Sequence, residues 1–378
     1  MSTGLALWLE HPGLGIASPL PIGGDLVHDL TMYPRTGLTA VLRPDTSEGA
    51  IPLWATPYGT RAHITAADGG NVFAGDVITA GVSRPEGGWR LQAADDISRM
   101  RAAEFSPRPG QYLVNAPTDL AGYIRALAAY VGVDLSVFGG GLGTVDPSRI
   151  DMAGYNAWAL VEEQITATGL DVAVGGDGSL TVQPAPVLQP EPDRTVTVGE
   201  RGTIVRYDLR MSRRYNRVVI THVCQADGQD DKHVDGVWED RQTIAGVQSV
   251  GPRTYTSQVR VGADWWNDPA AHQAQADANA AALAVQVRGA AREAVIGCVP
   301  DPSIRVGETV QVTYLGGRTD RALLTGVEWP LMPGGEMMLA VSSPDPGWSE
   351  AIDAPLIERP SETLKRSRLA RRRLAHAR

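Results

Sequence analysis

The sequence predicts a β-rich α+β protein: two small β-barrel-like modules flank an α+β insert, and the second module carries one long Ala-rich helix. Three observations carry this expectation. Short runs of strand character, separated by Gly and Pro turn signals, fill the first hundred residues and return in the last large block. Between them the apolar spacing switches to the helical period. Gly (42) and Pro (26) are both frequent without a collagen-like repeat, as expected of many short strands joined by turns. At roughly 150 residues per domain, 378 residues give room for two or three cores.

The expected first module spans 1–105. Gly37–Arg43, Thr60–Thr65, Asn71–Ala80 and Gly88–Ala93 read as strands, and Asp68-Gly69-Gly70 and Pro85-Glu86-Gly87 mark turns between them. The α+β domain spans 106–192. Thr118 is the expected N-cap of a helix with an apolar stripe of Leu120, Ile124, Leu127 and Val131, stopped by Gly132. A second helix starts near Asn156, has the stripe Trp158, Val161 and Ile165, and ends at Gly169. LDVAV and SLTVQP then form a hairpin around the glycines of 175–178, with Pro184–Pro192 as a linker. The second module spans 193–345. Tyr215–Val223 is a long β-rich run, and a helix over 268–289 has Asp268 as N-cap and Pro269 at its first position. Ala276, Ala280, Leu283 and Val287 give that helix a thin stripe suited to close packing. Glu293–Val299, Glu308–Tyr314, Arg321–Glu328 and Glu336–Val341 read as strands. Residues 346–378 form an extended basic tail, and within 361–378 Lys365, Arg366, Arg368, Arg371, Arg372, Arg373 and Arg378 face one acid, Glu362. No exact internal repeat occurs, but a β module recurs on both sides of the insert.

Charge and cysteine usage narrow the function classes. A net charge of −9 argues against a duplex-DNA binder, which needs a basic surface. Two cysteines, Cys224 and Cys298, exclude a disulfide scaffold. No stretch approaches the ~20 apolar residues of a membrane span. MSTGLALWLEHPG lacks a positive leading region, so synthesis in a cytoplasm without a secretory signal is expected.

No catalytic or cofactor constellation stands out. His222, Cys224 and His233 match no zinc spacing and lack a further ligand. Asp227, Asp230 and Asp231 lack the twelve-residue calcium-loop pattern and read as a solvated acidic turn. Gly139–Gly143 neither follows a convincing strand nor opens a helix, as a phosphate cradle requires. Asp95 and Asp96 are sequence neighbours that point apart on a strand, and Glu162-Glu163 reads as a solvated helix face. No catalytic, cofactor-binding or metal-binding residue is therefore expected. Trp265-Trp266 is a candidate interface, with a hydrophobic anchor before the long helix as the plainer reading. The basic tail reads either as an interaction tail for nucleic acid, an acidic partner or an anionic membrane surface, or as a solubilising end.

Several segments, in their order and spacing, resemble a known family. SRRYNRVVI (Ser212–Ile220) resembles a strand that opens the family's second β module. AWALVEEQITATGLDVAVGGDGSLTV (157–182) resembles its helix and hairpin, PSIRVGETVQV (302–312) a late strand pair, and 321–340 its final hairpin. PYGTRAHI and FAGDVITAGV resemble a first barrel. The family is the tail hub, or baseplate hub, of tailed bacteriophages, and the Ala/Gly/Arg-rich style is similar to minor tail proteins of actinobacteriophage type. The resemblance covers about residues 25–345.

It implies a structural virion protein at the tail tip, made in the host cytoplasm and without enzymatic activity or cofactor. It implies a homotrimer in which two modules per chain form a ring of six, docking a hexameric tail tube above and a trimeric tip below. The implied neighbours are a distal tail or tube protein, a tip fibre or spike and the tape measure protein. Genomic DNA would pass transiently without specific binding, and no stable membrane insertion is implied. An acidic lumen would suit that passage, because like charges avoid counterion-release binding. Any lysin or receptor-binding domain is expected on another chain. The alternatives are a tail-associated cell-wall hydrolase, which would need a cleft of convergent acid and base groups, and a carbohydrate-binding minor tail protein using exposed tryptophans.

Overall fold

The computed structural model describes residues 5–18, 21–42, 59–83, 88–105, 118–138, 144–145, 150, 152–197, 199, 203–211, 215–224, 232–241, 247–261, 269–287, 292–314, 317, 319–332 and 334–343. About half of the described residues lie in strands and a fifth in helices, so the protein is of the β-rich α+β class.

The chain starts with strands β1 (Ala6–His11), β2 (Gly15–Ala17), β3 (Pro21–Asp29), β4 (Thr36–Leu42), β5 (Arg61–Thr65), β6 (Asn71–Ser83) and β7 (Gly88–Ala94). Next come α1 (Ile97–Ala102), β8 (Thr118–Asp119), α2 (Leu120–Tyr130), β9 (Leu135–Val137), β10 (Thr144–Val145), α3 (Ala157–Ala167), β11 (Leu170–Val174) and β12 (Leu180–Pro184). Then follow β13 (Arg194–Thr197), β14 (Thr203–Met211), β15 (Arg217–Cys224), β16 (Lys232–Glu239), α4 (Val247–Val250), β17 (Thr254–Val261) and α5 (Pro269–Val287). The described chain closes with β18 (Arg292–Cys298), β19 (Thr309–Thr313), β20 (Thr319–Pro330) and β21 (Met337–Ser343).

Among the described residues, thirteen strands form one sheet with a main path of β14-β18-β21-β20-β3-β4-β7-β6-β5-β1-β2; β19 adds to β20, and β13 to β19. The two ends of the chain thus share one hydrogen-bonded ladder, joined where β20 meets β3. Strict alternation builds its buried face. In β4, Leu38, Ala40 and Leu42 point into the core while Gly37, Thr39 and Val41 stay partly exposed. In β20 a one-residue slip after Leu324 shifts the phase, so Leu324 and Val327 both reach that core.

A second core gathers α1, α2, α3 and the sheet β11-β12-β9, with Trp158, Tyr123, Ile124 and Ile165 fully buried. The expected stripes of α2 and α3 are the buried faces. Asn156 caps α3 by accepting from the Ala159 amide at 2.7 Å. The cap of α2 is Asp119 rather than Thr118: its carboxylate accepts from the Gly122 amide, and Thr118 pairs in β8. A one-residue error of this kind arises because both side chains can cap.

A third core lies between the small sheet β16-β15-β17 and α5, which buries Ala280, Leu283 and Ala284 against Val218, Ile220 and Val259. The small-residue stripe of α5 does permit close approach: a Cβ on Gly236 would lie 2.0 Å from the Ala276 carbonyl oxygen. The run containing Arg217–Cys224 does not open the large sheet. It is the middle strand of this separate sheet, inserted between β14 and β18.

The three cores are tied by polar contacts. Arg35, beside the turn between β3 and β4, is almost fully buried and pairs with Asp171 of β11. Tyr33 donates to the same carboxylate at 3.0 Å and packs on Trp158 with ring centroids 4.6 Å apart. No described helix is long and apolar enough to cross a membrane.

Candidate functional site

The two ends of the chain contain the same sheet. β3, β4, β5, β6 and β7 lie side by side as β3-β4-β7-β6-β5, and β14, β18, β19, β20 and β21 as β14-β18-β21-β20-β19. In both, the order is first, second, fifth, fourth, third, with every neighbour antiparallel.

The match extends to register. Each first strand is irregular at the same place: Pro21 faces Leu42 and Gly24 faces Ala40, while Thr203 faces Cys298 and Tyr207 faces Ile296. Each fourth strand slips once against its fifth-strand neighbour, between Val77 and Thr79 and between Leu324 and Gly326. Just before the slip, Val77 donates its amide to Thr60 O at 2.9 Å, and Leu324 to Glu308 O at 2.9 Å. Paired through these ladders, Leu38 corresponds to Ala294, Ala40 to Ile296, Leu91 to Leu339, Ala93 to Val341, Ala62 to Val310 and Ile64 to Val312; all twelve are buried.

The fourth strands have long outer edges. On β20, β19 covers Thr319–Leu323, and beyond the slip β3 covers Gly326–Pro330. On β6, β5 covers Asn71–Asp76, and beyond the slip Thr79–Ser83 faces no strand among the described residues. The counterpart of β3 is β14, whose outer edge likewise has no strand among the described residues. Among the described residues, one chain therefore holds one completed junction and the two unmatched halves of a second.

The sheet face away from the core is polar and mixed in charge. Asp25, Thr39, Gln92 and Thr79 form a cross-strand row, in which Thr79 donates to Gln92 Oε1 at 2.9 Å. Glu328 and Met338 face each other on the same side in the second half.

The structure separates the residues that the sequence offered as chemical sites. His233 stands opposite Val223 and so projects from the face of the sheet opposite to that of His222. His222 lies beneath α5 with its Nε2 3.1 Å from Asn279 Nδ2. Burial and the nearby His272 pull its pKa down to about 4. No three His, Cys, Asp or Glu side chains among the described residues gather as a metal site.

Asp95 and Asp96 do not converge. Asp95 is fully buried and accepts from the amides of Thr36 and Ile97, and burial raises its pKa to about 7 despite those donors. Asp96 turns to Arg61 at 3.0 Å, within a network that includes Asp76 and Arg99. Glu163 departs from the solvated face expected of it. It is mostly buried against β17, where it pairs with Arg260 at 2.8 Å, and burial raises its pKa. Trp265, Trp266, Asp227, Asp230, Asp231, Gly139–Gly143 and the basic tail lie outside the described residues.

The fold is that of bacteriophage tail proteins. The tail protein from Neisseria meningitidis MC58 superposes with a TM-score of 0.59 at 18% identity, over 92% of this chain and 98% of that one. The 43 kDa tail protein of prophage MuSo2 from Shewanella oneidensis gives 0.59 at 12% identity, over 90% and 97%. Prophage tail protein gp18 from Listeria monocytogenes EGD-e gives 0.54 at 7% identity, over 92% and 97%. No family model and no curated protein matches the sequence.

Proposed function

We propose that the chain is the hub of a phage tail tip. Three copies form a ring whose six similar sheets meet a hexameric tail tube on one side and a trimeric tip on the other. The observation that carries this reading is the register-matched duplication: two equivalent sheets per chain are what a threefold assembly needs to present a sixfold surface. The tail-protein fold supports it. The neighbours in this reading are a distal tail or tube protein above, a fibre or spike below, and the tape measure protein within. The virion tail tip is its location.

Its work is assembly and conduction, with no covalent step. A net charge of −9 suits a channel that lets DNA pass without holding it. Trp265-Trp266 remains the proposed additional contact with a partner.

Native mass measurement of the purified chain tests the proposal. A species of about three times 40.2 kDa is expected, with a central pore by electron microscopy. A monomer at every concentration overturns it. Clearing of host cell walls by this chain alone in a turbidity assay would overturn the non-enzymatic assignment.

A further inference from the structure

We propose that the outer edge of β6 over Thr79–Ser83 and the outer edge of β14, neither of which faces a strand among the described residues, pair antiparallel between two copies, repeating between chains the junction that β20 and β3 make within one. This deepens the hub reading and rests on it for the number of copies.

The register follows from the internal junction. There Gly326 faces Asp29, Val327 faces His28, Glu328 faces Val27, Trp329 faces Leu26 and Pro330 faces Asp25. The slips in the fourth strands align Gly326 with Thr79, and hence Glu328 with Gly81 and Pro330 with Ser83. The first-strand ladders align Leu26 with Leu209 and Asp25 with Asp208, because Leu26 faces Leu38 and Leu209 faces Ala294 at matched positions. Across the proposed junction, Ala80 then faces Met211, Gly81 faces Arg210, Val82 faces Leu209 and Ser83 faces Asp208 of the next copy.

Hydrogen-bond phase adds a second constraint. In the internal junction Leu30 donates to Thr325 O at 2.8 Å and Leu331 to Gly24 O at 3.0 Å. Antiparallel pairs alternate, so Glu328 and Val27 form a non-hydrogen-bonded pair, the kind with the closer Cα atoms. Their counterparts are Gly81 and Arg210. The contact joins two different edges, so it is heterologous and closes into a ring or runs on as a filament. It also gives partners to two strand edges that face no strand among the described residues, the kind of edge that otherwise invites uncontrolled strand addition.

Cysteine pairs test the register. A Cβ added at Gly81 meets no atom within 4 Å, so Gly81→Cys is compatible with the fold. A mixture of full-length Gly81→Cys chains and Arg210→Cys chains, mildly oxidised, should give a covalent dimer absent from either chain alone. A chain carrying both substitutions should give a covalent trimer. The pair Gly81→Cys with Leu209→Cys places the sulfurs on opposite faces and should stay near background. Equal yields from both pairs, or no cross-link from the mixture while the native chain is trimeric, overturn the strand pairing and leave the hub reading standing. A native chain that stays monomeric overturns both.

Discussion

Trp329 and Leu26 face each other across the strands that join the two ends of the chain, and both are buried in the main core. The contact ties residues from opposite ends of the sequence into one ladder. Trp329→Ala is expected to destabilise the protein by ~3–5 kcal/mol, as large-to-small changes in packed cores do. Urea unfolding would register it as a lower midpoint. A midpoint equal to that of the native chain would show that the two halves are stable without this seam.

Arg35 and Asp171 connect the first sheet to the insert. Removing one member of a buried pair strands the other charge, so Arg35→Met should cost ~3–5 kcal/mol. Asp171→Leu on top of Arg35→Met should recover part of that loss, because no uncompensated carboxylate remains. A double-mutant cycle in urea checks this; additive losses would refute the coupling.

Gly176 sits in the hairpin loop of the insert, where an added Cβ would lie 2.0 Å from the Asn71 carbonyl oxygen of β6. Gly176→Val should therefore push the loop off β6 and lower stability by ~1–3 kcal/mol. The substitution tests whether the insert docks on the first sheet: an unchanged thermal midpoint would mean that it does not.

His222 and Asp95 give opposite pH dependences. The folded pKa of His222, about 4, lies below its unfolded value, so the unfolded chain binds a proton that the folded chain does not. Its contribution is present above about pH 6.5 and is lost as pH falls toward 4. Asp95 has a folded pKa of about 7, above its unfolded value, so its contribution is present in acid and is lost as pH rises toward 7. Each can bend the stability curve by up to ~1.4 kcal/mol per pH unit. Urea unfolding between pH 4.5 and 7.5 should show a shallower acid loss for His222→Gln and a steeper one for Asp95→Asn.

The strands from Thr36 to Ala94 and from Arg292 to Ser343 were legible because buried and exposed residues alternate and turn signals separate them. So were α2, α3 and α5, from their apolar period, and the cap of α3 at Asn156; the cap of α2 falls one residue later than expected, and Asp268 lies outside the described residues. β3 carries no clear strand signal because Pro21, Gly23 and Gly24 break its pattern. Gly24 is needed there: its φ is +116°, and a Cβ would lie 2.0 Å from Thr39 O. The parallel pairing of β15 with β17 has no local signal, so the sequence does not reveal that Arg217–Cys224 belongs to a sheet of its own. The duplication was legible only as a recurrence of strand-rich blocks. Its register was not, because corresponding core positions exchange size, with Leu38 against Ala294 and Ala40 against Ile296. What the two halves keep is the backbone ladder, and the open edges that define the candidate site belong to that ladder rather than to any side-chain motif.

The link between the first and second strands differs in the two halves. In one it is the short turn in which Asp29 donates to Arg35 O at 2.8 Å; in the other it is residues 212–291, with their own sheet and α5. Around a closed ring the slim and the bulky links would alternate. In the proposed ring the paired sheets would repeat every sixty degrees and the bulky links only every hundred and twenty, so a partner touching those links could sense orientation that a partner seated on the sheets could not.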